Sequence, residues 1–288
     1  MAAPEKLVRA LDAGEAAADH RDARISHRLI LGPPSAAPAG RAYTRAVDDR
    51  KPTDPATFAP NADVYESGYY ERMYRPHWFL RNSRKYAERD AALLRLVRPS
   101  PATRVLEVGS ARGDTAFFLA PRVRSLVGID AAPVAVAAAR AEQAVRGVGN
   151  VRFEEADARD LAAAPGGPFD VVLLADFVEH ALDDVLVPCF ESARRVLAPG
   201  GALAIYTPNL GHWAERIKAA VPGLQQEDHI AVRPAARVVA LALAAGFAAD
   251  DLFYSASPYP LLGALDRALP MVGLCRFRTC LRAVTSPA

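Results

Sequence analysis

The stretch Arg104–Asp114, RVLEVGSARGD, decides how the rest of the chain is read. Its first five residues form a short run dominated by Val and Leu and ending at Gly109, as a strand buried on both faces does. Gly109 lets the backbone turn tightly and lets a ligand come close to it. Gly113 opens a helix whose first amides and dipole face the same space. In an open α/β sheet that space, beyond the carboxyl ends of the strands, is where ligands bind.

Downstream, the pattern repeats. Ser125–Asp130 (SLVGID), Val151–Glu155 (VRFEE), Phe169–Leu174 (FDVVLL) and Ala202–Thr207 (ALAIYT) read as four further strands. Helices are predicted from Thr115, over Ala131–Arg146 and over Leu182–Leu197, the last closed by Pro199-Gly200-Gly201. Strands alternating with helices in this way give a mostly parallel sheet covered on both faces. Pro234–Ala245 is a predicted helix, Asp251–Ser255 a sixth strand, and Pro258–Val272 a helical excursion. Cys275–Thr285 alternates and is expected to return as a seventh, antiparallel strand carrying solvated arginines, among them Arg276, Arg278 and Arg282.

Upstream, residues 4–30 have helical spacing, and residues 32–62 are broken by Pro and Gly. Residues 1–62 are therefore expected to form an N-terminal helical extension and arm, and residues 63–288 one domain. Within it, an aromatic cap is expected over 63–98 and a lid over 208–233, with Tyr70, Tyr74, Trp78, His212 and Trp213 as candidate acceptor-pocket residues, His212 and Trp213 suiting a capped helix start equally well. The chain has 288 residues, with 35 Lys+Arg against 33 Asp+Glu, a net charge of +2. That balance provides no field to attract nucleic acid or a bilayer. No run approaches the ~20 apolar residues needed to span a membrane. Glu5, Lys6, Arg9 and Asp12 interrupt any apolar signal-peptide core. Cys189, Cys275 and Cys280 are too scattered for a disulfide framework. A soluble, cytoplasmic monomer or homodimer is the expectation.

The glycine spacing discriminates between ligands. A dinucleotide fingerprint is GxGxxG; here it is GxxxG, with Ala111 and Asp114 in place of glycines. Glu107 adds an acid at the strand tip, which repels a pyrophosphate and attracts a ligand carrying ammonium and sulfonium groups. Asp130 ends the second strand, placed to take both hydroxyls of a ribose. Asp157 follows the third strand, placed to accept from an adenine amine.

Taken together, residues 104–207 resemble the class I S-adenosylmethionine-dependent methyltransferases, with a Rossmann-like fold. The family's E/DxGxGxG loop is EVGSARG here, its ribose acid matches Asp130, its adenine-contacting acid matches Asp157, and its LxPGG turn matches Leu197–Gly201. The resemblance implies S-adenosylmethionine as donor, held by Glu107, Gly109, Ser110, Ala111, Gly113, Asp130, Ala131, Asp157, Ala158 and Asp176.

Asp176-Phe-Val-Glu179-His180 follows the fourth strand, and His229 lies further on. If the segment opens a helix, Asp176 shares a face with Glu179 and His180. These four are the residues expected to handle the acceptor. As ligands, they suit a divalent cation such as Mg2+. The spacing resembles the ExxEH of metal-dependent methyltransferases acting on ubiquinone precursors, and the ExxEH…H of small-RNA 3′-end methyltransferases. Without a metal, His180 serves as a general base or orients the acceptor. A third reading has the EH pair only shape the pocket. The implied reaction is O-methylation, less favourably N-methylation, of a small molecule. The alternatives are an RNA 3′-end methyltransferase, which the near-neutral charge disfavours, a non-catalytic S-adenosylmethionine binder, and a dinucleotide-dependent oxidoreductase.

Overall fold

The computed structural model describes residues 83–221, 223–226, 228–257, 260–268 and 276–285. The expected N-terminal helix and arm, Tyr70, Tyr74, Trp78 and Cys275 lie outside these residues.

The quoted stretch folds as read. β1 (Arg104–Val108) runs into the glycine loop, and α2 (Asp114–Leu119) leaves it. It is preceded by α1 (Ser83–Val97) and followed by β2 (Ser125–Asp130), α3 (Pro133–Arg146), β3 (Val151–Glu155) and β4 (Phe169–Ala175). Then come α4 (Asp183–Val196), β5 (Leu197–Pro208), α5 (Trp213–Ala220), α6 (Ala235–Ala244), β6 (Phe247–Ser255), α7 (Pro260–Ala268) and β7 (Arg278–Thr285). The seven strands form one sheet in the order β3-β2-β1-β4-β5-β7-β6. β7 is antiparallel to both of its neighbours, and the remaining pairs are parallel. The strand order reverses direction between β1 and β4, which opens the crevice at their carboxyl ends.

Side chains on the sheet alternate between two cores. On one face Leu106, Ile129, Leu174, Ile205 and Leu281 pack beneath α4 and α6, which contribute Leu186, Phe190, Val238 and Leu241. On the other face Val105, Leu126, Leu173, Ala204 and Cys280 meet α1, α2 and α3 through Leu93, Leu96, Phe117 and Val136. Polar residues on the strands are confined largely to the ends.

Two strands are longer than expected. β5 begins at Leu197, which pairs with Phe169, and the register slips before Val171 meets Ala202. The Pro199-Gly200 turn is thus an exposed bulge within the strand, not a loop before it. β6 begins at Phe247, with a similar slip between Ala249 and Asp251.

Gly113 is the backbone pivot of the first turn. Its φ is +86°, and a Cβ there would lie 2.5 Å from the Phe153 ring. Gly113→Ala therefore combines left-handed strain with overpacking, and a loss of about 1–3 kcal/mol is expected from urea unfolding.

Candidate functional site

The glycine loop brings two buried acids together. Asp130 is fixed by the loop itself: its Oδ2 accepts from the Ala111 amide at 2.9 Å and its Oδ1 from the Ala132 amide at 2.9 Å. Burial raises its pKa, and the amides of Ala132, Ala111 and Ala131 work against that rise. Each oxygen retains a lone pair for a further donor. Ala111 holds this position at a φ of +45°, where a side chain is strained. At Gly109 a Cβ would come within 2.6 Å of the Phe177 ring.

Glu107 is 2% exposed. Its Oε2, and the nearby Ser110 Oγ, have no hydrogen-bond partner among the described residues. Burial pushes the Glu107 carboxyl up to about 8, although Arg89 and a hydrogen bond with Thr115 pull it down. Asp114 and Asp130 add to the rise. A buried acid with an orphaned oxygen is costly unless a ligand completes it. A cationic donor would do so, and the site fits S-adenosylmethionine on that ground.

Asp157 is differently engaged. Its oxygens accept from the Arg159 amide and Nε, both at 2.8 Å, so an adenine amine would have to share it with that guanidinium. Ala131 and Ala158 are half-buried at the same edge.

Beyond β4 the expected helix is absent. Asp176 has a φ of +55°, and Val178–His180 form one turn of 3₁₀ helix. The candidate ligand cluster among the described residues therefore holds Glu179, His180 and His229 but not Asp176, which stays close to Glu179 across Arg278 Nη1. The Asp176 carboxylate turns to two arginines: Oδ2 accepts from Arg89 Nε at 2.9 Å, and Oδ1 lies 3.3 Å from Arg278 Nη1. Glu179, His180 and His229 do converge, with one ligand atom from each lying within 4.8 Å of the others.

Within that trio, Glu179 is buried and its Oε2 accepts from the Thr207 hydroxyl at 2.9 Å. Burial, with Asp176 nearby, pushes its carboxyl up to about 7 against the pull of His180 and Arg278. His180 Nδ1 lies 2.9 Å from the Asp228 carbonyl oxygen. A carbonyl can only accept, so Nδ1 carries a proton. The His180 and His229 rings meet edge to face at 5.0 Å. Burial, then the charge of His180, lowers His229 to about 4, so it is a neutral imidazole near neutral pH.

Arg233 ties the turn to the segment that follows α5. Its guanidinium donates to the carbonyls of Val178 and Ala231 and of Ala181, and to Asp183. The Ala231 amide donates back to the Glu179 carbonyl at 3.0 Å.

His212 is not a pocket residue. It is fully buried, its Nδ1 caps α5 by accepting from the Ala214 amide, and its Nε2 lies 3.3 Å from Asp266 Oδ1. Trp213, half-buried, tilts against the His212 ring at 5.6 Å. The arginines of β7 are not solvated either: Arg276 is buried, and the Arg278 side chain retains 15% exposure. Arg278 and Arg89 both lie over the Tyr206 ring, at 5.5 and 5.9 Å. Neither arginine is among the residues expected from the sequence to form the site.

Comparison with known proteins agrees with this geometry. Residues 105–201 match the family described as methyltransferase domain. The chain is 36% identical over 196 residues to nocamycin O-methyltransferase of Saccharothrix syringae, covering 65% of this chain and 64% of that protein. It is 33% identical over 105 residues to the ubiquinone biosynthesis O-methyltransferase of Pseudomonas paraeruginosa, covering 36% and 44%. The chain thus spans less than two thirds of the length of these relatives. A solved S-adenosylmethionine-dependent methyltransferase from Aquifex aeolicus shares the fold, with a TM-score of 0.54 at 16% identity, over 75% of this chain and 97% of that one. Residues 105–201 thus resemble a methyltransferase domain in sequence, and the fold is one shared with solved S-adenosylmethionine-dependent methyltransferases.

The pKa of Glu107 makes a test of the buried acid. Its folded value, about 8, lies above the ordinary 4.5. Stability from this group is complete below about 4.5 and is lost as pH rises through about 8. Glu107→Gln is therefore expected to gain stability over the parent chain progressively across that interval. Urea midpoints at a series of pH values measure it, and a difference independent of pH contradicts the assignment.

Proposed function

We propose that this chain transfers a methyl group from S-adenosylmethionine to an oxygen of a small-molecule acceptor. The observation that carries the reading is the pair of acids flanking the glycine loop: Asp130, fixed by the Ala111 and Ala132 amides, and Glu107, buried with an orphaned oxygen. Asp130 would take the ribose hydroxyls, and Glu107 the cationic amino-acid end. When bound, the donor supplies an electrophilic methyl group on a sulfonium. The protein's tasks are alignment, exclusion of water and removal of the acceptor proton.

His180 is the group for that proton. Its Nδ1 is held by Asp228, which leaves Nε2 as the base. The names of the two O-methyltransferase relatives support oxygen as the atom methylated and a small molecule as its carrier. The net charge of +2 speaks against an RNA acceptor.

A second reading of the same trio is supported by its spacing. Ligand atoms within 4.8 Å can close on one cation with modest movement. Two imidazoles and a carboxylate favour a transition metal over Mg2+. Such an ion would acidify an acceptor hydroxyl.

Calorimetry tests the donor site. S-adenosylmethionine is expected to bind and NAD not to, and Asp130→Ala should weaken the former at least tenfold. Binding of NAD alone would falsify the proposal. For the metal, chelation and His229→Ala should each reduce methyl transfer to the acceptor. Undiminished turnover in both leaves His180 acting alone.

A further inference from the structure

Arg278 has donors that the fold does not use. It opens β7, where it pairs with Pro208 at the end of β5 and with Ser255 at the end of β6. It therefore stands at the edge of the sheet where the crevice opens. Its Nε and Nη1 are sealed from solvent and make no hydrogen bond among the described residues. Nη1 lies 3.3 Å from Asp176 Oδ1 and 3.8 Å from Glu179 Oε1, close enough for attraction but outside hydrogen-bonding geometry.

The neighbouring carboxylates are already committed. Asp176 gives Oδ2 to Arg89, and Glu179 gives Oε2 to Thr207. Arg89 is also engaged with Thr115, its Nη2 donating to Oγ1 at 2.8 Å. The Tyr206 ring lies near both guanidinium groups. A planar guanidinium with idle donors matches a flat oxyanion whose charge is spread over two or more atoms.

We infer that Arg278 binds the acceptor as an oxyanion, so that the preferred acceptors are carboxylates, enolates or phenolates rather than neutral alcohols or amines. The inference rests on the methyltransferase reading and narrows its substrate class. An anionic oxygen also brings its own electron pair to the methyl carbon. The new bond forms from oxygen to carbon, the bond from carbon to sulfur breaks with its electrons leaving on sulfur, and His180 need only remove a proton from an acceptor that arrives neutral.

The test is a titration of three pairs of probes by calorimetry in the presence of saturating S-adenosylhomocysteine. The pairs are benzoate with benzamide, 4-nitrophenolate with 4-nitroanisole, and the enolate of 1,3-cyclohexanedione with its methyl enol ether. S-adenosylhomocysteine is titrated alone first; if it does not bind, the methyltransferase reading falls, and this inference falls with it. With the donor site filled, at least one oxyanion is expected to bind tenfold or more tightly than its neutral partner. Which pair shows the preference distinguishes the three oxyanions. Arg278→Ala should abolish the preference while holding S-adenosylhomocysteine within about twofold. Arg278→Lys, which keeps the charge without the fork, should retain part of it and covers the case in which the alanine variant does not fold. A merely structural Arg278 would lower donor-product affinity and leave any probe preference unchanged. Equal binding within all three pairs, no binding of any probe, or a preference that survives both substitutions overturns the inference.

Discussion

A parallel strand covered on both faces can place polar groups only where it ends. Along β1, β2, β4 and β5 nearly every central side chain is buried in one of two apolar cores. A charge within either core would meet no water and no partner. Ionisable groups are therefore driven to the two edges of the sheet, Arg104 and Asp170 to one and the crevice residues to the other. Glu107 lies one residue from the end of β1, Asp130 ends β2, Asp176 follows β4, and Arg278 begins the antiparallel β7 at the same edge. The crevice is the place where the hydrophobic constraint is relaxed.

Because these groups share a small, poorly solvated volume, they set one another's charge. Glu107 is held near 8 chiefly by burial, with Arg89 pulling the other way. Burial is the largest influence at Arg89 and Arg278 and opposes their charges, and Asp176 together with Tyr206 and nearby glutamates more than offsets it. Asp176 thus serves as the common counter-ion between the two arginines, which explains why its backbone tolerates a left-handed conformation. The helix after the glycine loop and the turn after β4 are joined through Arg89, which bonds both Thr115 and Asp176.

Much of this was legible along the chain. The Val- and Leu-rich runs, the glycine spacing and the acids at strand tips each carry a local physical signal, and strand order hardly affects it. Glu107, Asp130 and the Glu179–His180 pair belong to that group. What could not be read were consequences of topology. Alternation in Cys275–Thr285 marks a strand but not which strands flank it. An edge position would leave the arginines in water, whereas insertion between β5 and β6 carries Arg278 into the crevice. Arg89 was hidden for the same reason, since a helix before the sheet gives no sign of which end it overhangs. His212 illustrates a case that the sequence leaves open: a histidine beside a tryptophan suits a pocket or a helix cap, and here its ring caps a helix and meets Asp266. Asp176 was misplaced because helical spacing was assumed across a tighter turn.

The position of β7 also orders events during synthesis. β1 to β4 are contiguous in the sequence and fill one side of the sheet, β1 meeting β4 once β2 and β3 have been made. β6, in contrast, reaches the sheet only through β7, the last of the strands to leave the ribosome. A nascent chain can assemble the half of the crevice that holds Glu107 and Asp130 while β5 still exposes an unpaired edge and Arg278 is not yet translated. The crevice is therefore completed in two stages, and the interval between them is when the bare edge of β5 is open to pairing with another chain.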